Sequence, residues 1–473
     1  MTSNSVNRLI LTCALFLALA FSAGAQEPRR IETRKNTKVE TWTAYPTRTL
    51  DRLKSFKLRR TDPASDQYGG RKDVSLEATG FFRTQKIGDR WWLVDPEGHP
   101  FIFKGVTAFS VGHSERQKNA LSDKYGSREA WADAEMDHLR SLGFNGLGAW
   151  SDVRSVRKSS KPMPYTVIVS PMGRYKGVHI KRFGGKYLKH GWQNYRFDLA
   201  MVFDPDFDKF VESELAKVEA YRDDPWLVGY FTDNEIPWVN DALDRHLTLL
   251  AHDEPAYLAV REWFDARKGK GAKPEDITPE DRSAFSAFYL ETYLSKVTAA
   301  LRKHDPNHLY LGCRFNQWKE ELHNPAMFEV AGRYMDVISV NHYQRWTPDM
   351  EEITNFGKWS GKPFMVTEFY TKGEDSGLPN SSGAGWNVHT QQERGWFYQN
   401  FCLALLESKC CVGWHWFKYM DNDPEDTTTD YSNRDSNKGL VTWDFEPYAP
   451  MLDLMKQFND RTLRLIDYLD NEK

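Results

Sequence analysis

Eight short apolar runs, separated by stretches with helical periodicity, constrain this sequence more than any other feature. The runs are Phe101–Phe109, Asn145–Trp150, Thr166–Ser170, Leu227–Phe231, Leu309–Cys313, Val337–Val340, Phe364–Thr367 and Val412–Trp416. They do not alternate strictly between apolar and polar residues, as expected of strands buried on both faces. Between them Phe207, Phe210, Val211, Leu215 and Val218 follow a 3.6-residue period, as do Phe285, Tyr289, Tyr293, Val297 and Leu301. Trp396, Phe397, Phe401, Ala404 and Leu405 form a third stripe. Strand–helix alternation argues for a parallel sheet, and eight strands favour closure. The expected fold is therefore α/β, a (β/α)8 TIM barrel with a short N-terminal extension and a hairpin. The hairpin is read from Gly80–Arg83, Arg90–Val94, an Asp95-Pro96-Glu97-Gly98 turn and Phe101–Phe103. Residues 171–205 and 371–392 exceed simple connectors and are expected to wall a cleft.

The N-terminus carries its own signal. Arg8 precedes the apolar run Leu9–Phe21, and Ala23-Gly24-Ala25 supplies small residues for cleavage before Gln26. The expected division is a signal peptide over 1–25, an N-terminal arm over 26–75 and a catalytic barrel over 76–473. Export as a soluble protein, secreted or periplasmic, follows. The net charge of −3 becomes −4 without Arg8, which argues against nucleic acid or anionic lipid as the main partner. The basic stretch from Arg29 to Arg60 reads as a solvated arm. Cys313, Cys402, Cys410 and Cys411 are too few for a disulfide framework in so long a chain and lack paired zinc spacing. Their pairing and the oligomeric state are not legible. No cofactor is expected.

Two of the apolar runs end in a carboxylate. Trp226-Leu-Val-Gly-Tyr-Phe-Thr-Asp-Asn-Glu235 closes on Asn234 and Glu235 and runs on to Trp238; Pro363-Phe-Met-Val-Thr-Glu368 closes on Glu368. The carboxyl ends of barrel strands carry active sites, so both glutamates are expected in one mouth. Glycosidic cleavage needs such a pair. One carboxyl protonates the leaving oxygen, and the other attacks the anomeric carbon or activates water. A separation of about 5–5.5 Å gives retention, and about 6.5–9.5 Å gives inversion. The chain also holds 17 Trp, 21 Tyr and 28 Phe; such rings suit the apolar face of a sugar and equally a large core.

At these residues the chain resembles the glycoside hydrolases of clan A, and within them the family 50 β-agarases. The resemblance runs through ordered blocks between about residues 80 and 450. They are Trp91–Phe101, Asp233–Trp238, Leu309–Phe315, Asp336–Asn341 followed by Tyr343, and Gly413–Asp421. It implies that Glu235 is the general acid/base, that Glu368 is the nucleophile, and that Asn234 bonds the hydroxyl beside the anomeric carbon. It further implies an exo-acting, retaining hydrolase of the β-galactosidic bonds of an algal-type galactan. The chain departs from the family at His342 and in the loop Gly383–His389, and where an extra N-terminal carbohydrate-binding-like domain is expected it carries a short arm.

Further candidates surround the pair. Tyr343 would donate a hydrogen bond to Glu368; Arg314 would pair with a carboxylate or reach the substrate. Asn341, His342 and His415 would bind substrate. Trp416 would be a sugar platform, with Trp150, Trp238 and Trp386 as outer ones. Each has a plainer reading as a core or turn residue. Lys418 and Arg345 would suit a sulfated sugar, or simply solvate a surface. The expected partner is an oligo- or polysaccharide, with no nucleic acid and no membrane insertion. A β-glycosidase or transglycosylase on another β-galactan or β-glycoside stays open, as does a non-catalytic sugar-binding protein. No H-x-H, H-E-x-x-H, G-x-S-x-G or phosphate-loop motif is present to support a metal, serine or nucleotide enzyme.

Overall fold

The computed structural model describes residues 28–183, 189–190, 193–316, 323–429 and 434–471. The signal-peptide reading, residues 1–25, lies outside them. Among the described residues no helix is long and apolar enough to cross a membrane.

Nine parallel strands form the central sheet: β1 (Phe103–Val106), β2 (Gly146–Leu147), β3 (Tyr165–Val169), β4 (Leu227–Thr232), β5 (Leu309–Tyr310), β6 (Phe315–Asn316), β7 (Ile338–Asn341), β8 (Phe364–Phe369) and β9 (Cys411–Trp416). Their hydrogen-bonded order is β5-β4-β3-β2-β1-β9-β8-β7-β6. This corrects the expected closed (β/α)8 barrel: the ladder is an open nine-stranded sheet, accompanied by sheets of four, three and two strands. The physical reason lies in the fifth apolar run. Gly312 at φ +82° and Arg314 at φ +56° leave the extended region, so the run Leu309–Cys313 keeps only Leu309–Tyr310 as strand, and Phe315–Asn316 beyond it forms a second. Tyr310 pairs with Tyr230 of β4, and Phe315 pairs with Val340 of β7. The two sheet edges are thus consecutive pieces of one segment.

The three predicted stripes lie on helices. Phe207–Leu215 buries Phe207, Val211 and Leu215; Pro279–His304 buries Phe285, Tyr289, Tyr293, Val297 and Leu301; Gln391–Glu407 is buried along most of its length. Thr278 and Thr390 start the last two with reciprocal capping boxes. Enclosed by the sheet is an inner core that includes Phe103, Phe231, Leu311, Met365 and Val412, together with Tyr68 and Phe82. A larger cluster joins the sheet to its helices.

Two stretches read as irregular carry structure. Residues 171–205 begin as the helix Pro171–Phe183. The arm contributes strands Arg29–Arg34 and Thr43–Thr47, which pair with Thr371–Gly373 and Trp386–Val388 from the long connector after β8 to make the four-stranded sheet. These strands are short and stabilised by distant partners (Thr33 opposite Val388, Arg34 opposite Asn387), which local periodicity does not reveal. The hairpin forms, with its first strand at Arg83–Ile87 and not Gly80–Arg83, its second at Arg90–Val94 and its third at Pro100–Phe101, Phe103 belonging to β1. All four cysteines of the described residues are free thiols.

Candidate active site

Every residue of β4 is buried, and the strand delivers its polar end through an abrupt change of backbone. Asp233 and Glu235 take φ of +57° and +49°, a region costly for side-chain-bearing residues and recurrent at functional sites. Asp233 holds the turn. Its carboxylate accepts from the amides of Met172 (2.9 Å) and Gly173 (2.8 Å) in the first turn of Pro171–Phe183, and from the Tyr293 hydroxyl (2.8 Å). Burial pushes its carboxyl up to about 6. Glu235 then faces outward from the strand end, where Oε1 accepts from Asn341 Nδ2 (2.8 Å) and Oε2 from Asn316 Nδ2 (3.1 Å). The same Asn341 amide group donates to Asn234 Oδ1 at 3.1 Å.

Glu368 sits near the end of the fully buried β8 and is itself buried. Each of its carboxylate oxygens has a donor: Arg314 Nη2 on Oε1, and the Tyr343 hydroxyl on Oε2 at 2.5 Å. Such charge-assisted bonds fix orientation as well as adding energy. Arg314 Nη2 also approaches Asn341 Oδ1 (3.3 Å) and the Thr367 carbonyl (3.4 Å). Thr367 Oγ1 donates to Asn341 Oδ1 at 2.8 Å. One network therefore runs from Glu235 through Asn341 and Arg314 to Glu368. Burial first, then the negative charge of Glu368, with a smaller contribution from Glu235, holds the Tyr343 hydroxyl well above its usual range. Tyr343 is therefore a donor throughout the working pH range.

Trp150, Asp233, Glu235, Arg314 and Gln344 all have positive φ, and all follow or end strands of the central sheet. This concentration of unusual backbone marks the carboxyl-terminal end of the sheet as the place where the fold tolerates strain.

The structure brings Asn234, Glu235, Arg314, Asn341, Tyr343 and Glu368 together, and Trp150 joins them. Its ring lies 5.6 Å from the Arg314 guanidinium and is 38% exposed. The other aromatic and histidine candidates lie elsewhere. His342 packs on Phe401, and burial pulls its imidazole down to about 3. His415 lies against Phe103 in the inner core, likewise pulled down to about 3 by burial. Trp416 is fully buried, donating Nε1–H to the Lys438 carbonyl. Trp238 packs on Tyr289 and Tyr293, and Trp386 on Tyr45 and Trp346. Lys418 donates to Asn422 Oδ1 at 2.5 Å, and Arg345 lies 3.7 Å from Glu352. Sequence reasoning missed Asn316 and Thr367. The rule that found Glu235 reaches Arg314, directly after the run Leu309–Cys313, and Asn316 stands two residues further on, behind Phe315.

No protein-family model matches the chain. Two curated relatives from Vibrio sp. (strain JT0107) do. Beta-agarase B is 27% identical over 517 residues, 87% of this chain and 51% of the relative. Beta-agarase A is 26% identical, over 83% of this chain and 47% of the relative. The chain thus spans about half the length of these relatives. Among solved structures, that of BpGH50 is 31% identical with a TM-score of 0.81, covering 94% of this chain and 96% of that one. The agarase AgWH50C, at 24% identity and a TM-score of 0.70 over 86% of this chain and 67% of its own, shares the fold.

Proposed function

Because this chain belongs to the agarase-like GH50 family, we propose that it is a glycoside hydrolase that cleaves β-galactosidic bonds of an agar-type galactan with retention, releasing short products from a chain end. One observation carries the reading. Two strand-end glutamates are tied into a single network, one taking neutral amide donors and the other a guanidinium and a phenol.

Glu368, fixed at both oxygens, is the group poised to attack. Its oxygen forms a bond to the anomeric carbon as the glycosidic bond breaks, and Glu235 hands its proton to the departing oxygen. Water then attacks the glycosyl-enzyme, losing its proton to Glu235, and the Glu368–carbon bond breaks. Asn234, held by Asn341, would bond the hydroxyl next to the reacting carbon. Trp150 supplies an exposed ring for the sugar face. The catalytic unit is assigned to 76–473, with 26–75 as its arm and 1–25 as an export signal.

The test is hydrolysis of agar oligosaccharides by Glu235→Ala and Glu368→Ala. Each is expected to lower kcat by about 100-fold or more. Azide should rescue Glu368→Ala, giving a glycosyl azide of inverted configuration. Near-normal turnover of either purified variant, or an azide product of retained configuration from Glu368→Ala, would remove the assignment.

A further inference from the structure

At the opposite end of the sheet from Glu235 and Glu368, before β1 begins, two buried carboxylates face one another. Asp66 Oδ1 accepts from the amides of Tyr68, Gly69 and Gly70 at 2.9, 2.8 and 2.7 Å. Asp95 Oδ1 accepts from the amides of Glu97 and His99 at 2.9 and 3.0 Å. Each carboxylate thus has one oxygen satisfied by backbone and its second turned inward. Asp66 Oδ2 lies 2.7 Å from His99 Nδ1. Asp95 Oδ2 lies 3.9 Å from the same nitrogen, on a side chain with no exposed surface; it takes no N–H donor and meets the facing Asp66 carboxyl. The exposed Glu97 completes the group: one ligand atom each from Asp66, Glu97 and His99 lies within 4.8 Å of the others. Among the described residues no lysine or arginine hydrogen-bonds to any of the four.

Gly70 lets the two carboxylates pack against its backbone. A Cβ there would stand 1.9 Å from Asp95 Oδ2, 2.8 Å from His99 Cβ and 3.0 Å from Asp66 Oδ2, so the glycine is what allows the inward oxygens to approach one another here. Donors around a metal with bonds of about 2.0–2.2 Å lie up to about 4.4 Å apart, so a small inward movement would close the group on an ion.

We propose that Asp66, Asp95, Glu97 and His99 bind one divalent transition-series cation, which staples the segment 66–70 to the Asp95–His99 turn. Carboxylates with an imidazole suit Mn²⁺ or Zn²⁺, whereas Ca²⁺ and Mg²⁺ take oxygen ligands. Two facing carboxylates call for a counter-charge, which a cation held here would supply. The role is structural. Tyr68 belongs to the inner core, with its ring 5.8 Å from Phe82, and the stapled turn leads directly into β1.

The experiment is titration of the chelator-treated full-length protein with ZnCl2, MnCl2 or CaCl2, read by calorimetry, bound-metal analysis and thermal denaturation. One equivalent of Zn²⁺ or Mn²⁺ is expected, with Tm raised by about 3 °C at saturation. Asp95→Asn and His99→Ala should each weaken binding at least about tenfold, and Gly70→Ala should block it. Glu97→Gln, at an exposed position, should weaken binding while keeping the metal-free fold by circular dichroism, and so serves if the buried variants fail to fold. Glu235→Ala should bind metal normally, which separates this site from the proposed catalytic one. Binding unaffected by Glu97→Gln and His99→Ala, uptake of Ca²⁺ alone, or no binding below about 100 μM would overturn the proposal.

Discussion

Tyr343 shows what a single hydroxyl contributes at this site. It donates to Glu368 Oε2, while Arg314 holds the other oxygen. Hydrogen bonds to charged groups contribute about 1.5–3 kcal/mol, so Tyr343→Phe is expected to lower kcat about 10–100-fold with little change in KM. Steady-state kinetics on an agar oligosaccharide check this; an unchanged kcat would mean that Arg314 alone orients Glu368. The histidines show the converse. His342 directly follows Asn341 at the end of β7 and His415 is the penultimate residue of β9, yet their rings point into packed layers. Successive residues on a strand face opposite sides, and which side holds the cleft is set by packing that a single sequence does not display.

Among the elements, the N-terminal strands carry more than their composition suggests. Arg29–Arg34 pairs with Trp386–Val388, Arg34 forms an ion pair with Glu374, and Trp346 Nε1 donates to Thr47 Oγ1 at 2.9 Å. They clamp the connector that begins just after Glu368. Removing residues 28–47 should therefore expose Lys372 to trypsin and lower kcat/KM on the same oligosaccharide. An unchanged digestion pattern by mass spectrometry would show that the connector holds itself. The broken fifth run makes a related point. Leu309–Cys313 is apolar enough to read as one strand, but Gly312 and Arg314 turn the backbone there, and that turn places the Arg314 guanidinium against Glu368 and near the rings of Trp150 and Phe231.

For the molecule as a whole, buried titratable groups predict an acid-sensitive fold. Burial pulls His246 down to about 4, and His342 and His415 to about 3, from 6.5. Unfolded imidazoles take up protons as pH falls through about 6.5, whereas the folded ones do so only near 3–4. Their stabilisation is thus complete above 6.5 and is lost on acidification. Asp233 and Asp95, raised to about 6 and 7, act in the opposite sense: their contribution is present below about 4 and is lost as pH rises through their folded values. Three imidazoles with larger total shifts outweigh these two. Tm is expected to fall steadily from pH 7 to pH 4; a flat or rising profile by calorimetry would contradict neutral burial of the histidines.

What the sequence determined by itself was the order of strands and helices, the hairpin, and the two strand-end glutamates with Asn234. These rest on local physics: burial on both faces produces continuous apolar runs, a helix repeats every 3.6 residues, and a polar group closing such a run marks the strand's end. Only the tertiary structure decided that the sheet stays an open nine-stranded ladder, that the arm adds strands to the connector after β8, and that Trp416, Trp238 and Trp386 are core while Trp150 is exposed. It also brought Asn316, Thr367 and Asn341 between the two acids. Those outcomes depend on contacts between residues far apart in the chain and on backbone turns at non-glycine positions, neither of which leaves a periodic trace in the sequence.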